Sequence, residues 1–244
     1  MTKRKLYAIG DIHGCSLALI RMMKLIEEDR AGSPAKIVFL GDYIDRGPDS
    51  PGVVQHLIDL KNSTKTPEVE YVFLKGNHED LLLGALDGKP QYESTFLYNG
   101  GSQTLNQYNQ EATMNLGQHR AHFFEDLELM HRDGDFVFVH AGLDPHSPLA
   151  NQDEEIMIWD RGFVKYTGVY HENVFVVHGH TPVENPTIFG NQMNIDTGCV
   201  FGKEYSEDYG KLTAVRLDDR AKCPGLEGFK FFHTREFDLI EGAF

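Results

Sequence analysis

The sequence predicts an α/β fold, in which short buried strands alternate with helices. Five short apolar runs each end in a cluster of glycine with Asp, Asn or His, and segments with helical spacing lie between the runs. A short apolar run that stops at glycine is typical of a buried strand of parallel type. The clearest example is residues 37–47, IVFLGDYIDRG, in which two aspartates and an arginine follow the run within a few positions.

The predicted elements follow in chain order. Strands are expected at residues 6–9, 37–40, 71–74, 136–139 and 174–177, with a late strand at 212–217. Helices are expected after Ser16, which is a candidate N-cap, at 53–60 and from 81 onward. Residues 88–133 are polar and rich in Gln, Asn, Tyr and Gly, with helical pieces around 102–108 and 119–130. We interpret that region as an insertion or cap over the site, within one domain spanning 1–244.

Composition excludes several classes of function. With 244 residues the chain is long enough for one domain with a substantial core. No run approaches 18 apolar residues, and the N-terminus lacks the pattern of a signal peptide, so neither membrane association nor export is expected. Three widely spaced cysteines favour a reducing cytoplasm. A net charge of −14 argues against nucleic-acid binding.

The strand-end clusters together predict a metal centre. Taken singly, each Asp could form a turn, Asn77 could adopt a left-handed conformation, and His140 could be a hydrogen-bonded histidine at the edge of the core. Five such clusters at the same ends of five strands are not explained in that way. Oxygen and imidazole ligands without cysteine suit Mn²⁺, Fe or Zn²⁺. So many donors fit two ions roughly 3.5–4 Å apart that share an aspartate.

The same motifs resemble those of a known family. DIHG at 11–14, GDYIDRG at 41–47, GNHE at 76–79, a strand-terminal His140 and HGHT at 178–181 are similar to the calcineurin-like metallophosphoesterases, in particular the bacterial and phage branch of the phosphoprotein phosphatases. Segments 99–105, 158–161, 195–199 and 210–215 extend the resemblance over nearly the whole chain. It implies a two-sheet β-sandwich flanked by helices, with the site on loops at one edge.

The resemblance also implies a role for each site residue. Asp42 would bridge two divalent ions, His78 would be the general acid, and Asp45 would orient His78 and hold it as an imidazolium. The implied ligands of the first ion are Asp11 and His13, those of the second are Asn77, His140 and His180, and the implied phosphate-binding residues are Arg46, Arg161 and Asn77. Mn²⁺ is the preferred metal, with Fe or Zn as alternatives.

The function expected from these roles is hydrolysis of phosphate monoesters. We expect direct attack by metal-bound hydroxide on phosphoserine or phosphothreonine, and also phosphotyrosine, in proteins. The alternative is a symmetrical bis(5'-nucleosyl)-tetraphosphatase that hydrolyses diadenosine tetraphosphate to ADP, with cap aromatics as stacking groups: Tyr92, Phe96, Tyr98 and Tyr108. A silent binding module would have lost a ligand or the general acid, and none is missing. A nuclease is disfavoured by the acidic charge.

Several residues have no assigned role in this scheme. His178 could line the site or support a ligand, and Cys15 is expected to be a small buried hydrophobe. The histidines without a motif, His119 among them, are expected on the surface or in the cap. Residues 203–209 lengthen a turn that is usually short in the family. They are either an exposed hairpin extension or a segment whose Tyr205 or Tyr209 reaches the substrate groove.

Overall fold

The computed structural model describes residues 4–63, 68–111, 113–168, 170, 174–202, 208–217 and 229–236. Two five-stranded sheets carry helices on their outer faces. The strands are β1 Lys5–Ile9, β2 Ala35–Phe39, β3 Val69–Phe73, β4 Met130–Asp133, β5 Phe136–Val139, β6 Phe175–His178, β7 Thr187–Phe189, β8 Gln192–Asn194, β9 Leu212–Arg216 and β10 Lys230–Thr234. The helices are α1 Ser16–Arg30, α2 Ser50–Lys61, α3 Asn77–Leu86, α4 Pro90–Phe96, α5 Ser102–Gln110, α6 Leu116–His122 and α7 Glu154–Trp159. None of the helices within these residues is long and apolar enough to cross a membrane.

The first sheet has the order β10-β9-β1-β2-β3. Strands β1, β2 and β3 are parallel to one another, β9 pairs antiparallel with β1, and the edge strand β10 pairs antiparallel with β9. The helix α1 connects β1 to β2 and the helix α2 connects β2 to β3, so this half is built from strand–helix–strand units. The C-terminal ends of β1, β2 and β3 therefore meet at one edge.

The second sheet has the order β4-β5-β6-β8-β7. Strands β5, β6 and β8 are parallel, and β4 and β7 are antiparallel edge strands. The chain ends of β5 and β6 lead directly into His140 and into the segment that contains His180.

The two sheets pack face to face, and alternation along the strands separates the core between the sheets from one further core under the helices on each outer face. In β1, Leu6 and Ala8 face the second sheet, whereas Tyr7 and Ile9 face the helices. The inter-sheet core also contains aromatic side chains of the second sheet, among them Phe136, Phe138 and Phe175. This confirms the predicted two-sheet sandwich flanked by helices.

Most predicted strands and helices are present, with a few differences at their ends. The helix α1 begins at Ser16 itself, so Cys15 is the N-cap; its side chain makes no capping bond, and Glu236 instead accepts the backbone N–H of Ala18 at 2.8 Å. The helical interpretation of residues 119–130 holds only as far as His122, where α6 ends; a single 3₁₀ turn follows at Phe124–Asp126, and Met130 begins strand β4. The last residues of the predicted insertion thus belong to the second sheet, and the division into one domain with a cap stays a prediction. His119, expected on the surface or in the cap, is buried and bonded to Tyr108.

Replacement of a buried inter-sheet aromatic is expected to destabilise the protein. Phe138→Ala empties space between the sheets, and we expect the free energy of unfolding to fall by about 3–5 kcal/mol. Phe189→Ala, on the same sheet but 43% exposed, should change it by less than about 0.5 kcal/mol. Urea unfolding followed by circular dichroism measures both, and equal effects would contradict the assignment of this core.

Candidate metal centre

The loops that follow five strands bring the predicted site residues together at one edge of the sandwich. Asp11 and His13 follow β1, Asp42 follows β2, and Asn77 follows β3. The second sheet contributes His140 after β5 and His180 after β6, and all of these side chains are buried. Residues from both sheets thus meet at the edge formed by the C-terminal strand ends, where α/β sheets place their sites.

Strained backbone marks this edge. Six non-glycine residues in the described part of the chain have positive φ, and all except Ala31 lie in the loops of the site: His13, Asp42, Asp45, Arg46 and His180. Such a conformation costs roughly 1–3 kcal/mol per residue and persists where the surrounding structure holds it. The strained conformation therefore lowers the stability of these loops and orients their side chains.

Three side chains converge on one point beside Asp42. Asn77 Oδ1 lies 2.9 Å from His180 Nδ1 and 3.1 Å from His140 Nε2. The two imidazole nitrogens are 3.2 Å apart, and His140 Nε2 lies 3.4 Å from Asp42 Oδ1. Amide oxygen, carboxylate oxygen and imidazole nitrogen are the donor types of a hard or borderline divalent ion.

The second hydrogen bond of each histidine fixes which nitrogen faces the site. His140 donates its Nδ1–H to Leu40 O at 2.8 Å, and His13 donates its Nδ1–H to Ile44 O at 2.8 Å. Burial lowers the pKa of His13, of His140 and of His180, the last to about 3. The imidazoles are therefore neutral, and the inward-facing Nε2 of His13 and His140 carries an electron pair.

Electron pairs that face one another in a buried site fit a bound cation. His180 faces Asn77 and His140 with Nδ1, and its other ring nitrogen, Nε2, is buried without a hydrogen-bond partner in the described region. Burial and the neighbouring carboxyls of Asp196 and Asp42 raise the pKa of Asp11, as expected where acids crowd together without a counter-ion. The donor set, the tautomers and the crowded acids all match a site for divalent metal.

Two candidate ligand groups share Asp42. One consists of Asp42, His140 and His180, and the other of His13, Asp42 and His78, each with ligand atoms within 4.8 Å of one another. Asp42 Oδ2 lies 3.5 Å from His13 Nε2, while Oδ1 faces His140. A carboxylate with one oxygen in each group has the geometry that a bridging ligand requires.

Asp11 and His78 differ from the expected arrangement. Asp11 joins neither of these two groups, and its carboxylate instead accepts the backbone N–H of His180 at 3.1 and 3.3 Å. His78, expected as a general acid, has Nε2 3.9 Å from Asp42 Oδ2. The metal role of Asp11 and the acid role of His78 both remain predictions.

His78, Asp45 and Arg46 form one hydrogen-bonded chain. His78 donates its Nδ1–H to Asp45 Oδ2 at 2.6 Å, which is the pairing that the sequence predicted. Arg46 donates to His78 Nε2 at 2.8 Å and to His13 Nε2 at 3.0 Å. Because a guanidinium can only donate, both Nε2 atoms are acceptors here. His78 Nε2 therefore accepts from Arg46 in this arrangement, and the imidazolium form expected of His78 stays a prediction.

Glu79 is a supporting residue that the sequence reasoning missed. Its carboxylate accepts the backbone N–H of Asp42 at 2.9 Å, of Tyr43 at 2.8 Å and of Gly76 at 3.0 Å. Burial and the nearby Asp42 carboxyl raise the pKa of Glu79 to about 8, whereas the three N–H donors favour its charged form. Glu79 joins the loops after β2 and β3. Its position at the end of the GNHE motif is the sequence feature from which a role for Glu79 could have been predicted.

Asp196 was also missed. It lies in the DTG segment after β8, and its carboxylate accepts the N–H of Gly198 at 2.9 Å. Burial raises the pKa of Asp196 to about 7. The Asp196 carboxyl contributes to raising the pKa of Asp11, so it adds negative potential to the metal centre. Asp196 lies within residues 195–199, IDTGC, which resemble the family, but that motif did not assign it a role.

A cavity of about 270 Å³ opens onto the metal centre. It is lined by Asp42, Arg46, Asn77, His78, Arg161, His180, Pro182 and Phe201. Arg161, exposed after α7, therefore borders the same space as Arg46. The three residues expected to bind phosphate, Arg46, Arg161 and Asn77, lie around one cavity.

Three other predictions can be compared with the structure. His178 bonds through Nε2 to Gln192 Oε1 at 2.5 Å and lies outside both ligand groups, so it supports the fold behind the site. Cys15 and Cys199 are buried free thiols, as expected of Cys15. Most of the segment 203–209, including Tyr205, lies outside the described residues.

Comparison with known proteins identifies the family. A profile of the calcineurin-like phosphoesterases matches residues 4–217, so the chain belongs to this family, whose members use divalent metals. Among its relatives is PrpE, an asymmetrical bis(5'-nucleosyl)-tetraphosphatase of Anoxybacillus flavithermus, 30% identical over 240 residues that cover 86% of this chain and 89% of the relative. Serine/threonine-protein phosphatase 1 of Salmonella typhimurium is 32% identical over 224 residues, covering 88% and 92%.

Solved structures agree on the fold. The cold-active protein-tyrosine phosphatase of a Shewanella species superimposes with a TM-score of 0.57 at 19% identity, covering 88% of this chain and 80% of that one. A serine/threonine phosphatase of Saccharomyces cerevisiae superimposes with a TM-score of 0.53 at 15% identity, covering 95% and 79%. The protein is thus a metallophosphoesterase, and relatives of two substrate classes are about equally similar to it.

Loss of one ligand histidine should reduce the number of bound metal ions. In protein stripped with chelator, reloaded with Mn²⁺ and desalted, we expect two ions per chain in the wild type and at least one fewer in His140→Asn. His178→Asn, a buried histidine outside the ligand groups, is the matched control and should retain both ions. Elemental analysis measures the stoichiometry. A full complement of metal in His140→Asn would contradict the ligand assignment.

Proposed function

We propose that the protein is a metal-dependent phosphomonoesterase that acts on phosphoserine and phosphothreonine, and also phosphotyrosine, in proteins. The observation that supports this most directly is the small cavity that Arg46 and Arg161 line together with Asp42, the residue shared by the two ligand groups. An arginine on each side suits the oxygens of one terminal phosphoryl group. The proposed ligands are Asp11, His13 and Asp42 for one ion, and Asp42, Asn77, His140 and His180 for the other.

Phosphate binding, proton delivery and orientation of the acid are assigned to different residues of the chain. Divalent ions held by these groups, with Mn²⁺ proposed first, would supply charge neutralisation and an activated water. Arg46, Arg161 and Asn77 bind and orient the phosphoryl group. His78 Nε2 delivers a proton to the leaving oxygen, and Asp45 holds the ring in place through Nδ1–H. No covalent intermediate on the protein is needed.

Arg46 couples phosphate binding to the state of His78. In this structure the guanidinium donates two of its N–H groups, one to His13 Nε2 and one to His78 Nε2. A phosphate dianion is a stronger acceptor than a neutral imidazole, because bonds between charged groups are about twice as strong. When Arg46 turns to the phosphate, His78 Nε2 becomes free to take up a proton from solvent water and to pass that proton to the leaving oxygen.

The groove beside the site supports a protein substrate. A cavity of about 790 Å³ lies between α3, α4 and α7, and Trp159 on its wall stacks edge-on near His180, with ring centroids 6.5 Å apart. Its charged residues are Asp80, Asp153, Glu154 and Glu155 against Lys75 and Lys89. Lys75 is already paired with Glu154 at 2.7 Å and Asp80 at 3.2 Å. An excess of acid repels a polyphosphate and accommodates a peptide with basic residues.

The second candidate is a dinucleoside tetraphosphatase. It is supported by the PrpE relatives, which are named for asymmetrical cleavage, whereas the sequence motifs suggested symmetrical cleavage. The aromatic side chains offered for stacking weigh against it. Phe96 and Tyr108 are buried, and Tyr92 is half-buried against Gly84 at the wall of the larger cavity, so that among these four only Tyr98, 91% exposed, is fully open to a base.

We propose that the protein works in the reducing cytoplasm with phosphoproteins as its partners. The support is its unpaired buried cysteines, Cys15 and Cys199, and its acidic composition, which argues against a nucleic-acid substrate.

A paired assay on Mn²⁺-loaded protein separates the two candidates. We expect kcat/KM for a phosphoserine or phosphothreonine peptide to exceed that for diadenosine tetraphosphate by at least about tenfold, a difference of about 1.4 kcal/mol in the barrier. His78→Asn should lower kcat on the peptide by roughly 10²–10⁴-fold, since it removes the proton donor. His146→Asn, an exposed histidine away from the site, should change nothing.

The products identify the rival if the preference is reversed. Faster turnover of the dinucleotide would make the tetraphosphatase the function, with ADP marking symmetrical cleavage and ATP with AMP marking asymmetrical cleavage. Lack of turnover of either substrate by protein that holds metal would contradict both candidates.

A further inference from the structure

Thr104 connects the predicted insertion to the proposed general acid. It lies in the first turn of α5, 59 positions from Asp45 in sequence, and its side chain is completely buried. The helix α5 reaches the turn after β2 at further points. Gln107 accepts the N–H of Ser50 at 2.9 Å and donates to Gly47 O at 2.8 Å.

The proton of the Thr104 hydroxyl is assigned by its neighbours. Thr104 Oγ1 lies 2.6 Å from Asp45 Oδ1, and a carboxylate can only accept, so the hydroxyl donates there. The same oxygen accepts the backbone N–H of Asp45 at 3.0 Å. Ser50 Oγ, 3.1 Å away, must then donate to Thr104, and it also receives the N–H of Asp45 at 3.1 Å.

This arrangement leaves one carboxylate oxygen for His78. Asp45 Oδ1 is held by Thr104, while Oδ2 accepts His78 Nδ1–H at 2.6 Å. Asp45 itself is fully buried and has a φ of 72°, a conformation that aspartate adopts only where its surroundings hold it. Thr104 bonds both the carboxylate and the backbone N–H of this strained residue, so it fixes the residue at two points.

We propose that Thr104 is a positioning residue for leaving-group protonation, acting through Asp45 on the orientation of the His78 ring. The inference rests on the proposed role of His78 as the general acid. It makes α5 a part of the catalytic apparatus in addition to any role in covering the site. Without the hydroxyl, the carboxylate of Asp45 is free to rotate, and His78 Nε2 is no longer aimed at the leaving oxygen.

The test compares a poor and a good leaving group. In Thr104→Val, which keeps the shape and removes the hydroxyl, we expect kcat on phenyl phosphate to fall roughly ten- to a hundredfold, a fraction of what general acid catalysis contributes. On 2,4-dinitrophenyl phosphate, whose leaving group needs no proton, kcat should stay within about threefold. KM should be nearly unchanged for both, because Thr104 touches no phosphate-binding residue. Thr104→Ser, which restores the hydroxyl, should recover the wild-type ratio of the two rates.

Gln107→Leu is the comparison for a purely structural role. Gln107 attaches α5 to the same turn without contacting the Asp45 carboxylate, so its loss should lower both rates by the same factor. An equal fall on both substrates in Thr104→Val, or no fall on either, would overturn the proposal. Where valine prevents folding, as judged by thermal unfolding, Thr104→Ala replaces it. Failure of both to fold while Thr104→Ser folds with an altered ratio would also overturn it.

The wild type separates this inference from the proposed function. If metal-loaded wild-type protein hydrolyses neither aryl phosphate, the phosphomonoesterase function fails before Thr104 is considered. If the wild type is active but the ratio is insensitive to Thr104→Val, only the positioning role fails.

Discussion

Glu79 is the residue on which the geometry of the site depends most. Its buried carboxylate accepts three backbone N–H groups, two from the loop after β2 and one from the loop after β3. These bonds set the distance between Asp42, on the first loop, and Asn77 and His78, on the second. Asp42 could not stand with one oxygen in each ligand group if the two loops moved independently. The glutamate contacts no proposed substrate, yet it places the residues that do.

Around that constraint, burial gives the site its electrostatic character. The histidines are kept neutral and turned by bonds to backbone carbonyls, so that their free electron pairs face Asp42. Asp11 and Asp196 add further acid at the same edge. A site that gathers acids and unprotonated imidazoles without a cation is electrostatically unfavourable, and bound divalent ions relieve it. The strained backbone of the loops is a second cost that the surrounding packing sustains.

The sequence predicted the strand ends well because their signal is local. A run such as residues 136–139 between Gly134 and His140 defines both the buried strand and the residue that leaves it. The pairing of His78 with Asp45 was also expected, from the family's motifs. The two-sheet arrangement came only from the family resemblance, since apolar runs do not state which sheet they join.

Contacts between distant segments were beyond the sequence. The link from Thr104 to Asp45 joins a polar helix to a loop far away in the chain, and nothing in the NGGSQTL pattern states which carboxylate the threonine meets. The bond from Arg46 to His78 Nε2 was missed for the same reason, because it depends on where the flexible side chain of Arg46 lies. Residues 130–133 were assigned to the insertion because their polar composition hides a short edge strand.

The dinuclear metal centre is tested most directly by anomalous diffraction at the manganese edge from crystals grown with Mn²⁺. We expect two peaks roughly 3.5–4 Å apart, one on each side of the Asp42 carboxylate. A single peak, or a pair that Asp42 does not bridge, would contradict it.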